Sequence, residues 1–220
     1  MPEPTIYNKI GSGYNTTRKA DPYIAERLYS LLSPEENKTY LDVGCGTGNY
    51  TIRLAQMGVQ FIGIDPSEIM LDEAKSKSSL VKWLHGYAED IPLPDNSIDG
   101  AIATLTLHHW SAPEKAFKEL ARVLKPNAAV VFFTFTPEQE KGYWFNHLFP
   151  DMMQKGMQRS MALETIQQTA IKAGLFIAQT EKYFVQDDLQ DLFGYSGKHD
   201  PERYFDPEII KGISYFFHLC

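Results

Sequence analysis

Straight after an apolar run at residues 39–43, positions 44 to 48 read Gly-Cys-Gly-Thr-Gly, three glycines in five positions. A chain concentrates glycine in this way where the backbone must take positive φ or where another group must come close to the main chain. A strand ending in such a turn, followed by a helical pattern over residues 50–57, is the opening unit of an α/β fold that holds a ligand at the carboxyl end of its strands.

The rest of the chain repeats that unit. Apolar runs at residues 39–43, 60–64, 81–85, 98–105, 130–135 and 176–185 alternate with helical patterns, as parallel strands joined by helical crossovers do. Asp21-Pro22 reads as an N-cap with proline at the first helical position, and Ser111 to Glu114 as a capping box. Lys125-Pro126-Asn127 stops the helix that the box opens. Residues 137–156 are aromatic and irregular, a helical pattern over 160–173 stops at Gly174, and Gly194, Gly197, Pro201 and Pro207 break the remainder into short helical pieces. The expectation is a doubly wound α/β domain over residues 1–220, with a mostly parallel sheet of the seven-stranded type and no legible last strand. Its core is expected at about 35–186, a helical cover at 1–34 and a variable helical segment at 187–220. The apolar ending at residues 216–220 is expected to run on into further chain.

A formal charge of −7 with no basic cluster argues against nucleic acid as a partner. The longest apolar run is too short to span a bilayer, and no secretory pattern opens the chain, so no membrane partner is expected. Cys45 and Cys220 are too far apart in sequence for a disulfide framework or a metal-ligand spacing, which fits a reducing cytoplasm and a protein without metal.

The spacing of the glycines narrows the ligand. A dinucleotide fingerprint needs G-x-G-x-x-G, and its third glycine position is held here by Asn49. A phosphate loop ending in Gly-Lys-Ser/Thr is absent. Asp65 ends the next predicted strand, 65 − 48 = 17 residues after the last glycine, where a carboxylate can accept hydrogen bonds from two ribose hydroxyls. Ala88-Glu89-Asp90, after the third strand, can read the nitrogens of a base through a backbone N–H and a carboxylate. A nucleoside-bearing ligand without a pyrophosphate cradle is indicated.

In order along the chain, LDVGCGTGNYTIRLA, GIDPSEIMLDEAK, GYAEDIPLPDNSID and ARVLKPNAAVVFF resemble the four motifs of the class I S-adenosylmethionine-dependent methyltransferases, in the small-molecule group with L-D-x-G-C-G-T-G. The resemblance covers residues 40–135. It implies S-adenosylmethionine as cofactor and methyl transfer to a small-molecule acceptor. It further implies that Asp42, Gly44, Cys45, Gly46 and Gly48 lie against the methionine portion, that Asp65 takes the ribose, and that Pro66 and Ile69 flank adenine. Ala88, Glu89 and Thr104 complete the implied cofactor set. Tyr87 stands where the adenine loop often carries aspartate, which shifts that contact toward Glu89 or Asp90.

YNTTRKADPYI resembles an N-terminal segment that folds over the cofactor, which makes Arg18 a candidate cation for the methionine carboxylate; the plainer reading is a solvated surface arginine. His108 and His109, at the end of the fourth strand, are the placed candidates for a general base, with packing under a lid as the alternative role. Trp110 is expected to wall the pocket. Residues 142–150, GYWFNHLFP, read either as a substrate lid or as buried packing, and Lys198, His199 and Arg203 as a solvated charged turn. A catalytically silent cofactor-binding module and a nicotinamide-dependent oxidoreductase are the alternative functions. The acceptor atom and the oligomeric state are not written in these residues.

Overall fold

A parallel sheet organises the chain, and the computed structural model describes residues 17–213. β1 (Thr39–Val43), β2 (Gln60–Asp65), β3 (Lys82–His85), β4 (Ile98–Thr104) and β5 (Leu124–Phe133) lie in the order β3-β2-β1-β4-β5. Every neighbouring pair is parallel. The chain starts in the middle, winds outward through β2 and β3, then crosses back to β4 and β5. The winding therefore reverses between β1 and β4, and a ligand crevice opens beside the carboxyl ends of those two strands.

The helical crossovers form where the caps dictate. Asp21 accepts the Ile24 N–H at 3.0 Å and Pro22 sets the first turn of α1 (Pro22–Leu32). α2 (Asn49–Gln56) starts directly from the glycine turn, and Ser67 caps α3 (Glu68–Lys77) through the Met70 N–H. α4 (Pro113–Val123) departs from expectation, because Ala112 is its N-cap and no capping box forms. Ser111 Oγ instead donates to Glu89 Oε1 at 2.9 Å, and the Ala112 N–H donates to the same oxygen at 3.0 Å. A carboxylate is a stronger acceptor than a hydroxyl and its charge is favourable at a helix N-terminus.

Each face of the sheet is sealed by its own helices. Phe117 and Leu120 of α4, with Ile166 and Ala170 of α8 (Leu163–Lys172), pack on Leu41, Val43 and Ile64. On the opposite face Leu28 of α1 and Leu54 of α2 pack on Tyr40, Phe61 and Ile102. Between β5 and α8 lie α5 (Pro137–Lys141), α6 (Phe145–Leu148) and α7 (Pro150–Met157), and α9 (Pro207–Lys211) follows a 3-10 turn at Pro201–Phe205. Tyr143, Phe145, Met152, Met153 and Tyr204 form a third cluster there, with a hydrogen bond of 2.7 Å between the Tyr143 and Tyr204 hydroxyls. Within residues 142–150, Tyr143 and Phe145 thus supply buried packing, while Leu148 and Phe149 are exposed.

Two strand expectations are corrected. β5 begins at Leu124, not at residue 130, and runs through Lys125-Pro126-Asn127. The register breaks between Ile98 and Gly100 and Asn127 takes φ +65°, so the helix-stopping triplet becomes an irregularity inside the strand. Proline is tolerated there because the outer edge of β5 pairs with no further strand among the described residues. Residues 176–185 form no strand. Their alternation appears as burial, with Ile177, Tyr183 and Val185 against the core and Phe176 and Phe184 exposed. Period two specifies a face, whereas a strand also needs a partner for its N–H and C=O groups. Residues 1–16 and 214–220, with Tyr14 and Cys220, lie outside the described residues.

Phe117 is fully buried at the junction of α4 with the sheet and stacks near Trp110 and Phe132. Phe117→Ala is expected to cost about 3–5 kcal/mol, read as a lower urea midpoint at unchanged slope; a loss below about 1 kcal/mol would mean this face is not a packed core.

Candidate functional site

The three glycines after β1 all take positive φ, at +72°, +54° and +75°, for different reasons. A Cβ on Gly44 would meet Thr106 Oγ1 at 2.1 Å, and one on Gly48 would meet the Trp83 indole at 2.3 Å. Gly46 has nothing within 4 Å. Gly44 and Gly48 are therefore demanded by packing, while Gly46 alone of the three faces open space. The Gly44 and Cys45 N–H groups both donate to the Ile64 carbonyl, at 2.9 and 3.0 Å, which pins the turn to the end of β2.

Two carboxylates sit beneath this turn. Asp65 Oδ2 accepts the Gly46 N–H and Oδ1 the Ser67 N–H, each at 2.8 Å. Burial raises its pKa to about 6 against the opposing pull of those two bonds. Asp42, 2% exposed, accepts the Thr51 hydroxyl on Oδ2 at 2.5 Å, and its buried Oδ1 has no hydrogen-bond partner. Burial, reinforced by the charge of Asp65, raises Asp42 to about 7. The same burial and the same two carboxylates push the Cys45 thiol well up, so it stays protonated.

Asn49, the residue that breaks the dinucleotide fingerprint, works as a brace. Its Nδ2 donates to the Arg18 carbonyl at 2.7 Å, and its Oδ1 accepts from Lys77 Nζ at 2.6 Å. Lys77 also donates to Thr47 Oγ1 at 3.1 Å. Glycine turn, α3 and the segment before α1 are thereby tied together.

These groups line a cavity of about 630 Å³ that runs along the strand ends. Its walls include Arg18, Asp42, Gly44, Cys45, Gly46, Asp65, Pro66, Ala88, Glu89 and Thr104, together with His108, His109 and Trp110. Gly48 and Ile69 are not walls. Gly48 gives its space to Trp83, and Ile69 is turned to solvent at 46% exposure, while Met70, one residue on, is buried and lines the cavity in its place. Glu89 is at the wall and holds the start of α4, whereas Asp90 is exposed and away from it.

His108 and His109 belong to a 3-10 turn, Leu107–His109, just beyond β4. Their ring centroids are 3.8 Å apart, and His108 lies 4.8 Å from Phe135. Burial, with the positive charges of Arg159 and Arg18, pushes both imidazoles below their ordinary pKa, so both are neutral at pH 7. His109 is sunk among protein atoms yet exposed at the cavity wall; His108 is more enclosed, with Nδ1 buried and unpartnered.

Arg18 is not a solvated surface residue. Its side chain is 14% exposed, and Nε and Nη2 bond Asp191 Oδ1 and Oδ2 at 2.5 and 3.4 Å. Tyr50 donates to the same carboxylate at 3.1 Å. Asp191 and Tyr50 are functional-site residues that sequence reasoning misses. Asp191 lies 173 positions from Arg18, and its one signal is an acidic residue set between the apolar Leu189 and Phe193. Lys198 and His199 are exposed, and Arg203 bonds Asp200 and the Asp187 carbonyl, which makes that segment a charged turn away from the cavity.

Comparison with known proteins fits this geometry. The family model described as "Methyltransferase domain" matches residues 41–132. An uncharacterized methyltransferase of Mycobacterium bovis is 33% identical over 134 residues, 61% of this chain and 55% of its own length. A malonyl-[acyl-carrier protein] O-methyltransferase of Serratia marcescens is 28% identical over 130 residues, 59% of this chain and 51% of its own. The chain spans about half the length of the curated relatives it matches. Among solved structures, a candidate methyltransferase from an antibiotic biosynthesis pathway of Anabaena variabilis superposes with a TM-score of 0.85 and 31% identity over 93% of this chain and 81% of its own. With the glycine turn, the paired carboxylates and that near-complete superposition in agreement, the chain belongs to the class I S-adenosylmethionine-dependent methyltransferases.

Proposed function

We propose that the protein transfers a methyl group from S-adenosylmethionine to a small-molecule acceptor by in-line displacement. The observation that carries the reading is the arrangement at the ends of β1 and β2: an open Gly46, an Asp65 fixed by two backbone N–H groups, and a buried Asp42 oxygen without a donor. These residues fit the cofactor. Asp65 suits the ribose hydroxyls, the unpartnered Asp42 oxygen suits a positive amino group, and Pro66, Met70 and Ala88 offer apolar surface to adenine. Arg18, oriented by Asp191, is retained as the contact for the methionine carboxylate.

When bound, S-adenosylmethionine supplies an electrophilic methyl group on a sulfonium sulfur. The cavity walls would exclude water and position the acceptor for in-line attack, and positioning of this kind supplies much of the acceleration of such a displacement. His109, neutral and open to the cavity, takes the acceptor's proton on an imidazole nitrogen. His108 supports it, in tilted ring contact with both His109 and Phe135.

Calorimetric titration tests the cofactor. S-adenosylhomocysteine is expected to bind the wild type and NAD not to bind, and Asp65→Ala is expected to weaken S-adenosylhomocysteine roughly 10- to 100-fold, the loss of a charge-assisted pair of bonds. Unchanged affinity would remove Asp65 from the site. His109→Gln is expected to lower kcat about 100-fold or more with S-adenosylhomocysteine affinity intact; a wild-type kcat would leave His109 a wall only.

The two carboxylates also set a pH dependence. Their folded pKa values, about 7 and about 6, exceed the ordinary 3.8, so between these limits the folded state binds more protons than the unfolded chain. Their contribution to the stability of the ligand-free protein therefore falls as pH rises from about 4 to 7. Thermal melts should show Asp42→Asn stabilising the protein by an amount that grows across that range and levels off above it; a difference independent of pH would contradict the buried, weakly solvated Asp42.

A further inference from the structure

Past the glycine turn the cavity continues into a chamber built by parts of the chain outside the motif residues. Its walls include His108 and His109 of the 3-10 turn, Phe135 just after β5, Phe193 to Tyr195, and Ile213. Aromatic and imidazole rings follow one another along it. From His109 the steps between centroids are 3.8 Å to His108, 4.8 Å to Phe135 and 6.0 Å to Tyr195, and Tyr143 backs Tyr195 at 4.5 Å. These come from four separate chain segments, so the ring wall is a product of the tertiary fold and not of a local aromatic run.

The charge content of the chamber is equally specific. Of the charged residues on the cavity wall, Arg18 and Asp191 face each other in a two-point pair that Tyr50 also joins, Glu89 is engaged at the start of α4, and the charge of Arg159 also acts on both histidines. Asp191 is 1% exposed. An anionic acceptor would have to compete with Asp191 for Arg18, and a cationic one with Arg18 for Asp191. Parting a buried ion pair is costly because it leaves a charge uncompensated. Both histidines are neutral at pH 7 and present no net charge to a ligand.

We propose that the acceptor is an uncharged molecule carrying a flat aromatic ring, seated against the wall that runs from His108 through Phe135 to Tyr195. This rests on the methyl-transfer reading. A ring placed there gains offset or edge contacts beyond its area burial, each about 0.5–1.5 kcal/mol, which an aliphatic body of the same size does not. The ring's hydroxyl or N–H then lies within the part of the cavity that His109 walls.

The test uses the full chain loaded with S-adenosylhomocysteine, whose binding is first verified by calorimetry. The loaded protein is then titrated at pH 7 with 1-naphthol, with the 1-naphthoate anion and with 1-decalol, the saturated alcohol with the same carbon count. 1-Naphthol is expected to bind about 10-fold tighter than either comparison probe, and Phe135→Ala to weaken it roughly 2- to 13-fold, the ring-contact range converted to affinity, with S-adenosylhomocysteine affinity unchanged. 1-Naphthoate or 1-decalol binding as tightly as 1-naphthol, or no binding of any probe to loaded protein, would overturn the ring proposal alone. Failure of S-adenosylhomocysteine itself to bind would overturn the methyl-transfer reading and take the proposal with it. Phe135→Tyr, which keeps the ring, should retain 1-naphthol within about 2-fold, and a loss equal to that of Phe135→Ala would also count against a ring contact.

Discussion

The carbonyl of Ile64 accepts two N–H groups from the neighbouring strand's turn, those of Gly44 and Cys45, and the site depends on this shared acceptor. It locks the end of β1 to the end of β2 at the place where both backbones leave the ladder. Asp65, one residue further, then meets the Gly46 N–H, and Asp42 is held two residues before Gly44 under the same turn. Two carboxylates are in this way buried together without a cation between them, and the rise in their pKa values is the consequence. The fold stores an unfavourable arrangement where a ligand with hydroxyl and ammonium donors can relieve it.

Much of this was legible in the amino-acid order because it is local. β1 has the limits that its apolar run predicts, and Asp21-Pro22 caps its helix as residue chemistry requires. The position of Asp65 followed from strand length alone. Errors fell where a local pattern meets a competing partner. Ser111 loses the N-cap role because Glu89, from another segment, is a better acceptor. Residues 176–185 have a strand's alternation but no ladder to join. Ile69 and Met70 show the same limit at finer scale: adjacent residues on a helix point about 100° apart, and the register that buries Met70 turns Ile69 outward.

Gly48 illustrates how a motif can be right for an unexpected reason. Its place in the glycine series suggests ligand contact, yet the space above it belongs to Trp83, which also fills the space over Gly63 on β2. Two glycines on different elements thus admit one indole between turn and sheet. Glycine spacing reports where Cβ atoms are forbidden, and only the packed structure shows whether a ligand or a side chain takes the room.

The acceptor end was the least legible part, and the reason is physical. The cofactor end is assembled from strand termini and the turns that follow them, whose geometry the sheet dictates. The rest of the cavity wall, the acceptor end included, is assembled from contacts between distant segments: Arg18 with Asp191, Asn49 with the Arg18 carbonyl, Phe135 with Tyr195. Each residue there is unremarkable in its own stretch of sequence and acquires its character from a partner far along the chain. Pairing Arg18 with a buried Asp191 leaves that pair without net charge, and His108 meets Phe135 at 4.8 Å in a tilted contact. In such a chamber the side chains that pair with one another set what charge is left to meet a ligand.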